Sequence, residues 1–168
     1  MGIHESAGKS DEWYTPKYIF DALGCEFNMD VASPRDISKV HTPASVFIHN
    51  DSLNREWDGF VWMNPPFGGR NGIVPWLEKL YQHGNGIALT PDRTSCPWWQ
   101  QYAKKADAHL QVANKIKFLR PDGSTGNQPS TGTTLFAYGQ IAVRALLTAE
   151  FNGLGLTFFR KPTLQLTA

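Results

Sequence analysis

Apolar residues recur along this chain at two different spacings. Ile19, Phe20 and Leu23 fall on one helical face, with Thr15 placed to cap the helix, Pro16 suited to its first turn and Gly24 to its close. Short apolar runs then predict strands over 27–31 (FNMDV), 45–50 (SVFIHN) and 60–64 (FVWMN). Helical spacing returns in VPWLEKLYQHG, opened by Pro75 and closed by Gly84, with Trp76, Leu77, Leu80 and Tyr81 predicted to face inward. A strand is predicted over 86–90. A helix capped by Ser95 follows, with Trp98, Trp99 and Tyr102 on one side. AHLQV and KIKFL, within 108–119, read as neighbouring strands. Strands over 133–139 and 156–160 close the pattern, with IAVRALLTAEF as a helix between them.

Strands alternating with helices predict an α/β sandwich around a mostly parallel sheet, with the late strands as candidates for antiparallel pairing. No internal repeat or interdomain linker interrupts the pattern. One domain is expected over 13–168, after a polar, flexible N-terminus at 1–12. The longest stretch poor in apolar residues, RPDGSTGNQPSTGT, predicts a loop over 120–133, and loops of that length in compact domains are often functional.

Composition narrows this picture. Hydrophobic residues are 41% and charged residues 18%, as in an ordinary soluble globular domain. A net charge of +1 argues against a strongly basic coat, although a local basic stripe could still hold nucleic acid. Two cysteines make no disulfide framework, so a reducing cytoplasm is the expected compartment. No apolar run is long enough for a membrane span, and the N-terminus lacks the apolar stretch of a secretion signal. The histidines are scattered, and no Cys/His spacing suits zinc, so no metal is expected. GIHESAGKS, near the N-terminus, has Ile3 where a phosphate-binding loop needs glycine and no strand before it.

Candidate chemistry gathers at predicted strand ends. Ligands of open α/β sheets sit beyond the carboxyl ends of the strands. Asp30 closes the first strand, Asp51 follows the second and Asn64 closes the third; if these strands are adjacent, the three groups share one crevice. The third strand runs straight into Asn64-Pro65-Pro66-Phe67. Two prolines lack N–H groups and fix φ, so the strand ends in a stiff, extended corner. There the Asn64 amide oxygen and the Pro65 carbonyl are two acceptors able to take both hydrogens of an exocyclic amine, such as N6 of adenine. Phe67 could stack on the ring carrying that amine, and Gly68 and Gly69 permit close approach.

Asn-Pro-Pro-Phe resembles the catalytic motif of amino-group methyltransferases that use S-adenosylmethionine. DEWYTP (11–16), FNMDVAS (27–33), NDSL…W (50–57) and MNPPFG (63–68), in this order, are similar to the small, phage-type DNA N6-adenine methyltransferases of the Dam-like group, over 11–139. The resemblance implies a Rossmann-like methyltransferase sandwich of reduced size. It implies that Thr15 and Pro16 lie near the donor's carboxylate end, Asp30 and Ala32 near its methionine part, and Asp51 on its adenine amine. Asn64, Pro65, Pro66 and Phe67 match the catalytic motif. The turn after the first strand, DVASPRDISKV, departs from the pattern by having no glycine, and the short spacing to Asp51 leaves out the usual ribose-binding strand.

The chemistry that this resemblance implies is methyl transfer to adenine N6 in DNA, with the base flipped out of the stack. Arg70, Arg93, Lys115, Lys117 and Arg120, beside the 120–133 loop, are the candidate phosphate contacts. RNA adenine and protein glutamine amides are the rival substrates, and an inert nucleic-acid-binding module of the same fold is the rival of another class.

Overall fold

The computed structural model describes residues 13–66 and 72–161. The expected N-terminal tail at 1–12 lies outside them, as do Phe67, Gly68, Gly69 and Arg70.

Among the described residues, seven strands form one sheet in the order β2-β1-β3-β4-β6-β5-β7. They are β1 (Phe27–Asp30), β2 (Ala44–Phe47), β3 (Val61–Met63), β4 (Gly86–Pro91), β5 (Ala108–Val112), β6 (Thr133–Tyr138) and β7 (Gly155–Phe159). β1 pairs in parallel with β2 and β3, and β3 with β4. β6 runs antiparallel to β4 and to β5, and β7 antiparallel to β5. The first five strands therefore share a direction, and the late ones carry the antiparallel pairing.

Four α-helices are described: α1 (Lys17–Leu23), α2 (Val74–His83), α3 (Pro97–Lys105) and α4 (Gln140–Phe151). Alternation along the central strands separates two cores. Phe60, Trp62, Ile87, Leu89, Leu135 and Ala137 pack with α1 and α4. Val61, Met63, Ala88, Phe136 and Tyr138 pack with α2 and α3 on the other face. The result is a three-layer sandwich with a sheet buried on both sides.

The structure corrects several boundaries. Thr15 does not cap α1; Pro16 takes that place with ψ 146, and its carbonyl accepts from Ile19 N–H at 3.2 Å. Its extended ψ delays the helix by one residue and leaves Thr15 outside it. Ser95 is likewise displaced by Cys96, because Pro97 takes the first position of α3. Tyr81 is 41% exposed rather than inward, with the Lys105 ammonium 4.5 Å from its ring centre.

The segment 115–119 forms no strand beside β5. Leu119 makes only isolated bridges, to Tyr14 and to Thr125, while β5 lies between β6 and β7. Alternation of Ile116 with exposed lysines marks a buried face, but it does not provide a partner strand.

Candidate active site

β1 leads outward to β2 on one side, and the chain then returns to β3 on the other side of β1. Strand order reverses between β1 and β3, and a crevice opens beyond their carboxyl ends. A cavity of about 670 Å³ sits there. Ala32, Ser33 and Pro34 line it from the exit of β1, and Asn64, Pro65 and Pro66 from the exit of β3. His49, Asn50, Asp51 and Ser52 come from the exit of β2. Trp13, Trp76 and Phe118 add aromatic walls. Convergence of Asp51 and Asn64, which sequence spacing alone left open, is thus present.

Asn64 is half-buried, and its Nδ2 donates to the Thr15 hydroxyl at 3.2 Å. Thr15 is itself buried and lies behind the cavity wall. With Nδ2 committed to Thr15, the amide oxygen is the polar atom left for the cavity. Among the described residues no donor takes the Pro65 carbonyl. Among the described residues, two acceptors at the end of β3 therefore have no donor.

Asp51 sits in the left-handed region at φ 52, on the rim, as the residue before a short 3-10 turn (Ser52–Asn54). A non-glycine residue there stores backbone strain, which persists only where the surroundings hold it. Lys79 of α2 supplies that hold. Its ammonium donates to the carbonyls of Ser52 (3.0 Å), Leu53 (2.9 Å) and Arg55, and lies 4.7 Å from the Trp57 ring centre. The Trp57 indole N–H returns to Ser52 at 3.1 Å. Asn54 Nδ2 donates to Asp51 Oδ1 at 2.6 Å, and Oδ2 has no hydrogen bond among the described residues.

Asp30 takes a different place. Its carboxyl is 3% exposed and does not line the cavity. One oxygen accepts from the Thr42 hydroxyl at 2.7 Å and the other from the Ala32 N–H at 3.2 Å. Burial pushes its pKa up to about 6, although both hydrogen bonds pull it down. The carboxyl thus fixes the turn that carries Ala32 and Ser33 to the cavity, in a stretch that has no glycine. Pro16 is buried at the start of α1 and is absent from the described lining.

The segment after β5, a strap over 115–126, closes one side. Phe118 lines the cavity, and Leu119 exchanges backbone bonds with Tyr14 at 3.0 Å each way. Arg120 donates to the Thr125 carbonyl at 2.9 Å, with its guanidinium 5.9 Å from the Trp13 ring centre. A Cβ at Gly126 would lie 2.6 Å from Trp13, so only glycine lets the strap seat that ring. Trp13 and Phe118 were not singled out from the sequence; the DEWYTP segment held the signal for the first, and the second was absorbed into a predicted strand.

Arg93 and Lys117 are exposed, and Lys115 donates to the Ser130 carbonyl at 3.1 Å. β4 and β5 share the direction of β3, so these three residues, which follow β4 and β5, lie on the cavity's edge of the sheet. Arg120 is on the strap itself. Among the described residues no group of three or more His, Cys, Asp or Glu is placed to hold a metal ion, and no helix is long and apolar enough to cross a membrane.

The family model of the DNA N-6-adenine-methyltransferases (Dam) matches residues 3–143. No curated protein and no solved structure matches the chain.

Proposed function

Because the chain belongs to the Dam family of DNA N-6-adenine-methyltransferases, we propose that the cavity at the β1–β3 switch point transfers a methyl group from S-adenosylmethionine to N6 of a flipped adenine in DNA. One observation carries this reading: Asn64, whose oxygen, like the Pro65 carbonyl, meets no donor among the described residues, faces the same cavity as Asp51.

The residues present suit the donor. A cavity of about 670 Å³ is large enough for a nucleoside carrying an amino acid, and its walls mix aromatic rings with a few polar groups. Asp51 would accept from the donor's adenine amine through its unbonded oxygen. Ala32 and Ser33, on the turn pinned by Asp30, would border the methionine part. When bound, S-adenosylmethionine supplies an already activated sulfonium methyl, so the protein's task is orientation.

Asn64 Oδ1 and the Pro65 carbonyl would each accept one N6 hydrogen of the target adenine. Held by both, the nitrogen is drawn from planarity, and its lone pair is freed from the ring and turned toward the donor. The two prolines keep this corner stiff, so the acceptors are in place before the base arrives. Phe67, the next residue in the motif, would stack on the extruded ring. Arg70, Arg93, Lys117 and Arg120 would meet phosphates around the mouth, with Lys115 beside them.

The test is transfer of labelled methyl from S-adenosylmethionine to DNA, RNA and protein in parallel. Incorporation into DNA alone, at N6 of adenine, is the expected result. Asn64→Ala should keep the fold and lower turnover by roughly 10²- to 10³-fold, the effect of losing a positioned electrostatic contact to the reacting group. Substantial turnover by that variant removes Asn64 from the chemistry. Labelling of RNA or protein instead reassigns the substrate.

A further inference from the structure

The structure assigns Thr15 a task outside donor contact: we propose that its hydroxyl, acting with the Pro65 carbonyl, is the positioning group that holds the Asn64 amide with Oδ1, and not Nδ2, toward the target amine. This rests on the catalytic reading of Asn64 given above.

An asparagine side chain presents two ends of similar shape and opposite hydrogen-bonding character. At the end of β3 only one orientation serves the chemistry. With Oδ1 toward the cavity, Asn64 and the Pro65 carbonyl make a pair of acceptors. Rotation of the amide by half a turn would put N–H groups against the N6 hydrogens, and donor would face donor. The prolines that follow fix the backbone but leave this torsion untouched. Something must select one end.

The Pro65 carbonyl favours one end, and Thr15 is placed to hold the amide in that orientation. Its hydroxyl lies 3.2 Å from Asn64 Nδ2, and this is the hydrogen bond found for the Asn64 side chain among the described residues. Thr15 is 7% exposed, and it stands behind the wall rather than in it. Its own position is fixed from both sides. Tyr14 is bonded through its backbone to Leu119, and Pro16 begins α1, whose Ile19, Phe20 and Leu23 are buried in the core. The extended conformation that Pro16 imposes on the preceding residue holds Thr15 clear of the helix it would otherwise cap. The hydroxyl is left for Asn64.

A hydroxyl can also donate, so Thr15 alone would tolerate either end of the amide. Selection comes from the neighbouring acceptor. With the Pro65 carbonyl presented to the cavity, an incoming amine rewards Oδ1 facing it, and the Thr15 oxygen then accepts the Nδ2 hydrogen. A residue that carries oxygen at both ends has no wrong orientation. The effect of Thr15 should therefore depend on what stands at position 64.

The experiment compares Thr15→Val and Thr15→Ser in the wild-type and Asn64→Asp backgrounds. Labelled methyl transfer to unmethylated genomic DNA gives kcat, and calorimetry with S-adenosylmethionine gives donor affinity. Thr15→Val should lower kcat by roughly five- to tenfold, the effect of one neutral hydrogen bond, with donor affinity unchanged. Thr15→Ser should restore most of it, and in the Asn64→Asp background Thr15→Val should change little. As a second measurement, the Asn64 side-chain amide protons should lose protection against hydrogen exchange in Thr15→Val and regain it in Thr15→Ser. This reading holds even where kcat in the Asn64→Asp background is too low to compare.

Equal kcat losses in both backgrounds, a loss confined to donor affinity, or unchanged amide exchange would each overturn the proposal and leave the catalytic reading of Asn64 standing. Full activity of Asn64→Ala would defeat that reading, and this inference with it.

Discussion

Asp30 ionises only against its surroundings. Its carboxyl is buried and satisfied by two neutral donors, Thr42 and the Ala32 N–H, with no cation among its hydrogen-bond partners. Desolvation wins, and the pKa rises to about 6. Between the unfolded value and the folded one the folded protein holds a proton that the unfolded chain has released. Stability from this group is therefore complete below about pH 4 and is lost as pH rises through about 6. Asp30→Asn keeps an acceptor but has no charge to bury. Its stability relative to the wild type should rise by about 2 kcal/mol across that window. Urea denaturation at both ends of the range measures the difference; a constant offset would mean that the carboxyl is not desolvated. Asp30 was legible as a strand-end acid. Its burial was not, because that depends on Thr42, twelve positions away and joined only when β2 pairs with β1.

Elements show where local signals end. Proline and glycine placed the helix ends within a residue, since Gly24 and Gly84 terminate α1 and α2 at φ 60 and φ 74. Proline chemistry, and not the side-chain caps that Thr15 and Ser95 could offer, settles the helix starts. The strap at 115–126 misled pattern reading for another reason: its alternation is real, but its partners are Tyr14 and its own far end. β7 is a case that sequence could not decide. Among the described residues it is an edge strand, paired only with β5, and Leu156 and Phe159 are exposed. Unpaired edges invite pairing between molecules. Here Glu150 of α4 accepts from the Thr157 N–H at 3.2 Å and occupies the free side. Glu150→Ala should remove about 1 kcal/mol of stability and open the edge. Sedimentation velocity over a range of concentrations should then show more self-association than the wild type; a variant that associates no more than the wild type would refute this role.

At the scale of the molecule, five strands of common direction bring the exits of β1, β2, β3, β4 and β5 to one edge of the sheet. The cavity and the described basic candidates therefore share a side, although the net charge of +1 advertises no nucleic-acid surface. Exposed Arg93 and Lys117 flank the cavity without forming its walls. Arg93→Ala and Lys117→Ala should each weaken DNA binding and reduce its salt slope by roughly one unit, while S-adenosylmethionine affinity stays unchanged. Fluorescence anisotropy at several salt concentrations reads both quantities. An unaltered slope would place these residues off the phosphate path. Arg120 differs from them, because it is tied to the strap and to Trp13, so its loss should also disturb the cavity.

Sequence by itself determined the alternation of helices and strands, the stiff Asn-Pro-Pro corner and the acids at strand ends. All of these depend on residues within a few positions of one another, and backbone restriction and side-chain spacing act at that range. Tertiary structure decided which strands are neighbours, that Asp51 faces the cavity while Asp30 is sealed behind it, and that Thr15 meets Asn64 across 49 positions. Such contacts form only when distant segments pack. Their geometry follows from sheet order and core burial, and no local run of residues encodes either.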